Sequence, residues 1–436
     1  MISKNSLHPA LVDPLLDVMN FLNEIALRFP EAISFAPGRP YEGNFKYEQI
    51  TSCIQTYITH LERDRGFTSE QVNTTLFQYG RTNGHIQDLI ATMLKKDEGI
   101  DIAPEALVVT VGCQESMFLV LRALFTGTDD VLLVNSPCYI GITGVAKLLG
   151  IEFVPTEESG EGISLDAVVR EIRRVREAGK RPKALYVIPD FSNPSGSSLP
   201  LQARLQLLGI AKREEILILE DNPYGFFSNQ ETRKPTIKSL DKSGHVIYMG
   251  SFSKVAFPGL RVGYTIADQV VVDDAGQETL LAYELSKIKS MISVNTSPIC
   301  QAIIGGMLIE NDCSLLDANR ENIRFYKNNM DLALRSLERH FPSQDASFGV
   351  TWNVPEGGFF LVVDLPFRAE NEILELSAKD YKVIWTPMSY FYTHGGGERQ
   401  IRLSVSYITP EQVEEGISRL AHMIKDQLQG RAVRGN

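Results

Sequence analysis

The chain has 436 residues, of which 43% are hydrophobic and 22% are charged, and its formal net charge is −11. This composition can fill a large buried core and a second, smaller one, and it excludes disorder of the whole chain. The acidic balance argues against a protein that mainly binds nucleic acid or coats an anionic membrane, so we expect neither as a partner.

Between residues 106 and 266, short β-branched runs alternate with segments of helical periodicity. The predicted strands are Leu107–Thr110, Val131–Val134, Glu152–Val154, Ala184–Ile188, Ile216–Glu220, Val246–Met249 and Arg261–Ile266. The predicted helices between them are Gln114–Phe125, Gly141–Leu149, Leu165–Ala178 and Leu201–Arg213. The pattern is typical of an α/β domain in which helices flank a mostly parallel, seven-stranded sheet on both faces.

After residue 266 the sequence is mostly helical in its periodicity. The predicted helices are Gln277–Ser290, Pro298–Glu310, Cys313–His340 and Pro410–Gln429, and the predicted strands are Gly358–Asp364 and Ile401–Ser406. These elements indicate a smaller α+β domain. We expect residues 1–45 to be an N-terminal arm or part of the small domain, residues 46–320 the large domain, and residues 321–436 the C-terminal small domain.

Cysteine usage and the N-terminus bear on location. The five cysteines follow no metal-ligand spacing, and their odd number and low density suit a reducing compartment. The first twenty residues lack the basic region and apolar run of a secretory signal, and no apolar stretch approaches the roughly 20 residues of a membrane span. We therefore expect a cytoplasmic protein without a bound metal.

The stretch around Lys254 is the most informative. Residues 250–254 read GSFSK, and residues 258–261 read PGLR. Lys254 follows a buried strand and two serines, and Arg261 comes seven positions later, so one loop supplies an amine and an anion-binding cluster. Alone, the two residues fit a solvated loop lysine near a surface arginine better than a Schiff-base lysine, and only the whole string reverses that interpretation.

This string resembles the cofactor-lysine motif of the fold-type I pyridoxal-phosphate enzymes. Within them it is similar to the class I/II aminotransferases, especially the aminoadipate and kynurenine aminotransferase branch. The resemblance extends from about Ile33 to Tyr407. It implies the pyridoxal 5'-phosphate (PLP)-dependent transferase fold of type I, with PLP bound as a Schiff base on Lys254.

Two further matches follow strands, at the end where open α/β sheets bind ligands. Asn193, in PDFSNPSG at 189–196, can donate to the phenolic oxygen of the cofactor, and it is also expected at the substrate. Asp221 and Tyr224 lie in ILEDNPY at 218–224. The Asp221 carboxylate would keep the pyridine nitrogen protonated, and Tyr224 would help Asn193 hold the phenolic oxygen. An Asn-Pro turn and an Asp cap are the structural alternatives.

The phosphate requires a separate anion site. The sequence VGCQE at 111–115 supplies a strand end, a glycine and a helix start, whose backbone N–H groups attract anions. A glycine-capped helix start without a ligand is the alternative. The resemblance implies that the phosphate is held by Gly112, Cys113, Gln114, Ser251, Ser253 and Arg261.

Four more residues match positions of the family. Tyr139 matches the aromatic residue that stacks on the pyridine ring, and Tyr79 the tyrosine that reaches the phosphate of the neighbouring subunit. The Tyr79 match implies a homodimer with a shared active site. Arg402 matches the residue that binds the substrate α-carboxylate, and Gly38 lies in the segment that covers the substrate. An ordinary core tyrosine and a surface arginine are the structural alternatives for Tyr139 and Arg402.

Two arginines depart from the family pattern. Many relatives carry Gly-Gly-Leu-Pro where residues 37–40 here read PGRP, and Arg81 lies just beyond Tyr79. The guanidinium of Arg39 can recognise an acidic substrate side chain or lie in solvent. The sequence therefore leaves the substrate open.

The expected activity is transfer of an amino group from an amino acid to a 2-oxo acid. Lys254, Asp221 and Tyr224 are the predicted catalytic residues, and the freed amine of Lys254 moves the α-proton. One alternative keeps the fold and cofactor but performs elimination, cyclisation, oxidation or carbon–carbon bond formation in a biosynthetic pathway, since fold alone does not decide the reaction. Another is a transcriptional regulator that uses this fold as a sensor, but such proteins carry a preceding basic DNA-binding domain, and here the resemblance begins by about Ile33.

Overall fold

The computed structural model describes residues 2–430. The strands, in chain order, are β1 (Ile33–Ser34), β2 (Leu107–Thr110), β3 (Asp130–Ser136), β4 (Glu152–Ser159), β5 (Gly162–Ile163), β6 (Arg181–Val187), β7 (Leu217–Asp221), β8 (Val246–Ser251), β9 (Gly263–Ile266), β10 (Val270–Val272), β11 (Glu278–Leu280), β12 (Thr351–Trp352), β13 (Phe360–Asp364), β14 (Val383–Ile384), β15 (Thr386–Pro387) and β16 (Gln400–Ser404). The α-helices are α1 (Pro14–Arg28), α2 (Tyr47–Arg63), α3 (Ser69–Phe77), α4 (Gln87–Met93), α5 (Cys113–Leu124), α6 (Ile140–Leu148), α7 (Leu165–Glu177), α8 (Leu201–Arg213), α9 (Ile237–Leu240), α10 (Leu281–Ile292), α11 (Pro298–Glu310), α12 (Leu315–Ala318), α13 (Arg320–His340), α14 (Asn371–Asp380) and α15 (Pro410–Leu428).

The large sheet has the strand order β2-β9-β8-β7-β6-β3-β4-β5. The five inner strands β8, β7, β6, β3 and β4 pair in parallel, and β9 runs antiparallel between β2 and β8. The mostly parallel sheet predicted from the sequence is therefore confirmed. An eighth strand, β5, extends it, and two residues are too short for a periodicity to reveal. The carboxyl ends of the parallel strands meet at one edge, which is where such sheets bind ligands.

The large sheet separates two apolar layers because neighbouring side chains of a strand point to opposite faces. Leu185 and Val187 of β6 belong to one buried cluster. Tyr186, between them, belongs to the other cluster together with Leu219 of β7. Tyr186 and Leu219 are register partners, so the alternation fixes the face on which each side chain lies.

Two helix predictions need correction. The segment predicted as a helix from Gln277 begins with β11, which forms an antiparallel hairpin with β10, and the helix itself is α10. The helix predicted over Cys313–His340 is interrupted between α12 and α13 at Asn319. The Asn319 side chain donates to the carbonyls of Val255 and Leu315, at 2.9 and 3.0 Å, and this local competition for backbone acceptors accounts for the break.

A second core lies around the sheet with order β12-β13-β16-β15, whose strands pair antiparallel. Ile401 and Leu403 of β16 are buried in this core, so Arg402 between them points the other way. The N-terminal segment packs here as well: β1 pairs in parallel with β14, and Phe35 joins the same core. The residue boundaries of the three predicted domains stay a prediction.

In the described part of the chain, no helix is long and apolar enough to cross a bilayer. Within residues 2–430 there is also no group of three or more His, Cys, Asp or Glu side chains placed to hold a metal ion.

Candidate active site

A cavity of about 300 Å³ lies at the edge where the parallel strands end. Of the predicted site residues, those that line it are Gly38, Cys113, Gln114, Tyr139, Asn193, Asp221, Tyr224, Ser251, Ser253, Lys254, Arg261 and Arg402. At least one of these site residues comes from each of five strands, namely β2, β3, β6, β7 and β8. It is either the last residue of the strand or lies shortly after the strand ends. The topology of the sheet thus brings together residues that are far apart in the sequence.

The amine of Lys254 lies inside this cavity. Its Nζ donates to the carbonyl oxygen of Gly38 at 2.8 Å. Burial, with the positive charges of Arg261 and Arg402, lowers the pKa of Lys254 to about 8. The neutral, nucleophilic form of the amine is therefore far more populated near physiological pH than in an ordinary lysine, although the protonated form still predominates.

Asp221, the last residue of β7, is only 2% exposed. Its Oδ2 accepts the hydroxyl of Tyr186 at 2.6 Å, and its Oδ1 accepts the thiol of Cys113 at 3.2 Å. Burial raises the pKa of Asp221 to about 6, against the hydrogen bonds from Tyr186 and Cys113 and the charge of Lys254. The carboxylate is therefore mostly ionised at neutral pH.

An anion cup forms where the start of α5 meets the loop after β8. Arg261 adopts a left-handed backbone with φ 53°, and its Nη1 donates to the Ser253 hydroxyl at 3.3 Å. The φ of Gly112 is +74°, a conformation that favours glycine, and a Cβ there would lie 2.5 Å from Nη2 of Arg261 and displace the guanidinium from its place beside the helix start. The Ser251 hydroxyl accepts the backbone N–H of Ser253 at 3.2 Å. The first N–H groups of an α-helix have no partner within the helix, and Cys113 and Gln114, the first two residues of α5, line the same cavity as Arg261.

Arg402, which β16 of the second core brings to the cavity, is 4% exposed. Its Nη1 donates to Oδ1 of Asn193 at 2.6 Å, and its Nη2 donates to the carbonyl of Ala36 at 2.7 Å. The guanidinium carbon lies 4.5 Å from the ring centroid of Phe360 and 4.8 Å from that of Phe391. Its buried Nε has no hydrogen-bond partner in the described structure. Nη2 also donates to the Thr386 hydroxyl at 3.3 Å, so three of the five N–H donors are used, and Nε and one N–H of Nη1 are left for a ligand.

Aromatic side chains complete the walls. The Tyr139 hydroxyl donates to Oε1 of Gln114 at 3.4 Å, and the ring of Tyr224 packs edge-on against those of Phe359 and Phe360, each with a centroid distance of 5.4 Å. Burial raises the pKa of Tyr224 above its usual value, so its hydroxyl stays protonated and can donate.

Two predicted site residues, Gly112 and Tyr79, do not line this cavity. Gly112 lies directly before Cys113, as the N-cap of α5, whereas Tyr79 lies elsewhere. Its side chain is 85% exposed, and it lines a separate cavity of about 650 Å³ together with Arg81 and His85. Its predicted role requires a second copy of the chain, so the prediction for Tyr79 stays a prediction.

The family assignment rests on the sequence itself. Residues 42–420 match the family "Aminotransferase class I and II". The chain belongs to this family. The aminotransferase is 47% identical over 427 residues to (S)-3,5-dihydroxyphenylglycine transaminase of Amycolatopsis orientalis, covering 98% of this chain and 95% of that protein. It is 30% identical to 2-aminoadipate transaminase of Thermus thermophilus, covering 92% and 91%.

Solved structures agree with the assignment. The aminotransferase superposes on a multiple substrate aminotransferase from Thermococcus profundus with a TM-score of 0.80, at 27% identity and covering 94% of this chain and 95% of the other. A kynurenine aminotransferase from Pyrococcus horikoshii, crystallised with PMP, also gives 0.80, at 25% identity and covering 98% of both chains. The expected fold, cofactor class and amino-transfer activity are confirmed: this is a PLP-dependent aminotransferase.

The residues of the aminotransferase fit the cofactor that the family implies. A primary amine, a buried carboxylate and an anion cup face one cavity, and they correspond to the aldehyde, the pyridine nitrogen and the phosphate of PLP. The close approach of the Arg261 guanidinium to Gly112 brings the positive charge beside the start of α5.

Sequence reasoning misses several residues of the aminotransferase site. Tyr186, on β6, bonds Asp221 from within the sheet, and its only sequence signal is a tyrosine in an otherwise apolar strand. Phe391 and Phe360 flank Arg402 but lie in segments with no motif. Arg39, whose role the sequence leaves open, lines the cavity.

Proposed function

We propose that the enzyme moves the amino group between an aromatic amino acid and a 2-oxo acid, and that Lys254 carries PLP. One observation carries the proposal: the amine of Lys254 shares a cavity with the buried carboxylate of Asp221, the Arg261 cup and the Arg402 fork. Two separate guanidinium groups match two separate anions, a cofactor phosphate and a substrate carboxylate.

Each residue has a distinct task in this proposal. When bound, PLP withdraws electrons from the α-carbon of the amino acid attached to it. Asp221 would keep the pyridine nitrogen protonated, which strengthens that withdrawal, while Asn193 and Tyr224 would donate to the phenolic oxygen and Tyr139 would stack on the ring. Lys254 Nζ, once free, would accept the α-proton and return it to the carbon two bonds away, and its pKa of about 8 suits it to both steps.

The phosphate and the substrate carboxylate would be held by different residues. Cys113 and Gln114, at the start of α5 and after its N-cap Gly112, would bind the phosphate through their backbone N–H groups, and Arg261 would add charge. Arg402 binds the α-carboxylate, with Asn193 fixing its fork. Burial lowers the pKa of Arg402 to about 10, but the guanidinium is still charged at neutral pH. Ser251 and Ser253 complete the cup beside Arg261.

We propose an aromatic side chain for the substrate because an acidic side chain would need a cation to bind it. Among the described residues, no cation that lines the cavity is left unpaired for that purpose. Arg39 is stacked 4.0 Å above the ring centroid of Tyr407, and its Nη2 lies 3.6 Å from Oε1 of Glu42. Its charge is thus already partnered. The rings of Tyr139 and Phe391 provide apolar surface instead. Relatives named for dihydroxyphenylglycine and aromatic amino acids support the same class.

A spectral experiment tests the proposal. Protein purified with added PLP should absorb visible light, and Lys254→Ala should abolish that absorbance while leaving the fold intact by circular dichroism. Addition of a series of amino acids should convert the cofactor to its amine form fastest with aromatic ones, and turnover should require a 2-oxo acid. Product formation without an oxo acid would instead support elimination or another PLP reaction.

We also infer that the enzyme is a homodimer in which Tyr79 of each copy completes the phosphate site of the other. Exposed apolar side chains support this: Phe77 and Met291 are 69% and 84% exposed, and the segment of Tyr79 lies beside Pro298 at the start of α11. Light scattering gives the mass, and subunit mixing tests the sharing. Tyr79→Ala and Lys254→Ala chains, each inactive, should regain activity when mixed, whereas separate sites would give none.

We further place the enzyme in the cytoplasm. All five cysteines are free thiols, which suits a reducing compartment. Fractionation of the source cells with an antibody to the chain tests this, and recovery in an extracytoplasmic fraction would contradict it.

A further inference from the structure

The hydroxyl of Tyr186 and the thiol of Cys113 both donate hydrogen bonds to the carboxylate of Asp221. The proposed mechanism uses neither of these two groups. The Tyr186 hydroxyl reaches Oδ2 at 2.6 Å from the neighbouring strand, and the Cys113 thiol reaches Oδ1 at 3.2 Å from the start of α5. Tyr186 is 1% exposed, so its hydroxyl is shielded from solvent. Asp221 thus has one donor on each oxygen.

The sheet register explains why Tyr186 reaches this carboxylate. Tyr186 pairs with Leu219, and Asp221 lies two residues farther along β7, on the same face. A shift of one residue would turn the tyrosine toward the opposite apolar layer, where Leu185 and Val187 lie. The contact is therefore built into the pairing of β6 with β7.

The two donors have an electrostatic consequence. Burial favours the neutral acid, whereas hydrogen bonds from Tyr186 and Cys113 favour the carboxylate and hold the pKa of Asp221 down to about 6. Burial and the nearby Asp221 raise the pKa of Tyr186 well above its usual value, so the hydroxyl keeps its proton and always donates. An ionised carboxylate has about four acceptor positions, so an N–H of a bound ring can still be accepted.

We propose that Tyr186 is a positioning residue for transamination. Together with the Cys113 thiol, its hydroxyl orients the carboxylate of Asp221 toward the cofactor and keeps that carboxylate ionised. This inference rests on the proposed role of Asp221 at the pyridine nitrogen. It gives Cys113 a second function, since its backbone belongs to the start of the phosphate-binding helix while its side chain serves Asp221. Tyr186 acts only through Asp221, since it is absent from the cavity lining.

The test is Tyr186→Phe, which removes one oxygen and keeps the ring. We expect kcat to fall about 10- to 100-fold, as for loss of a hydrogen bond to a charged group, with KM for the amino acid nearly unchanged. Because a donor to the charged form is removed, the acidic limb of the kcat–pH profile should move up by about one pH unit. The dissociation constant of PLP, measured by equilibrium dialysis, should rise as well.

Tyr248→Phe is the matched control. Tyr248 lies on β8, which is next to β7 on the side away from β6, and it is as buried as Tyr186. Its hydroxyl accepts a hydrogen bond from Nδ2 of Asn222 at 3.1 Å and does not contact Asp221. It should change neither the pH limb nor PLP affinity. Cys113→Ala should shift the limb in the same direction as Tyr186→Phe, and Cys113→Ser, which restores a donor, should bring it back.

The outcomes separate the two proposals. If Asp221→Asn abolishes transamination but Tyr186→Phe behaves like Tyr248→Phe in pH limb and PLP affinity, the role of Tyr186 is refuted and the proposed function stands. If Asp221→Asn is itself fully active, the role of Asp221 fails, and the role of Tyr186 fails with it. Thermal melting of each variant shows whether a loss reflects unfolding.

Discussion

Replacement of Arg402 by lysine keeps the positive charge and removes the fork. The guanidinium uses Nη1 for Asn193 and Nη2 for Ala36, and it lies between two aromatic rings. An ammonium group is a point donor that cannot meet both anchors and a bidentate carboxylate at once. The lysine chain would also leave part of the gap between Phe360 and Phe391 unfilled.

The size of the expected effect is set by the hydrogen bonds between this side chain and the substrate carboxylate. A hydrogen bond to a charged group contributes about 1.5–3 kcal/mol. In the lysine variant the substrate carboxylate would lose at least one of its two hydrogen bonds to residue 402, so kcat/KM should fall about 10- to 100-fold. The cofactor should remain bound, because the contacts of Arg261 in the cup do not involve Arg402, and a shift in its absorbance would report the loss of the Arg402–Asn193 hydrogen bond. Steady-state rates with an aromatic amino acid measure the effect.

The control substrate is an aromatic primary amine without a carboxylate. Its turnover, however slow in the parent enzyme, should be the same in Arg402→Lys, because no carboxylate is left to bind. An equal loss for the amine and the amino acid would refute the reasoning, since the defect would then lie in the chemistry or the fold and not in carboxylate binding.

Three further results are expected. Glu42→Gln should raise kcat/KM for an acidic oxo acid several-fold and leave aromatic substrates unaffected, because it frees the charge of Arg39; no change in this ratio would remove Arg39 from substrate selection. The rate of PLP capture by the cofactor-free enzyme, followed by stopped-flow absorbance, should rise with pH and level off above about 8, where Lys254 loses its proton given its lowered pKa; a flat profile would contradict this. Lys289→Ala should destabilise the fold by about 3–5 kcal/mol in urea unfolding, because it leaves Glu115 buried without its 2.7 Å partner, and the double variant with Glu115→Gln should recover part of the loss.

The sequence predicts the strands of the large sheet well because buried parallel strands are apolar runs bounded by turns. It also predicts the group of Asn193, Asp221 and Lys254, since each of them follows such a strand and carries a motif. These three residues lie together because of the order of the strands in the sheet. The local periodicity of the sequence does not reveal that order. The interruption at Asn319 escapes prediction for the same reason: its partner, the carbonyl of Val255, is 64 positions away in sequence.

Residues that act through others are the hardest to predict. Tyr186 is indistinguishable from a core tyrosine until the register of β6 against β7 is known. Arg39 illustrates the converse: its charge attracts attention in the sequence, but its partners Glu42 and Tyr407 have no motif that marks them. The sequence assigns Cys113 to the phosphate, and its thiol also contacts Asp221, a contact that only the three-dimensional arrangement reveals.

The attachment of β1 to β14 has a mechanical consequence for Lys254. Residues 33–38 are tied to the second core through Ile33 and Ser34, yet the carbonyl of Gly38 caps the Lys254 amine in the first. Because residues 33–38 bridge the two cores, a substitution in the second core that displaces β1 would also displace the backbone around Gly38 that lies against Lys254. The surroundings of this amine thus depend on the packing of a core to which Lys254 does not belong.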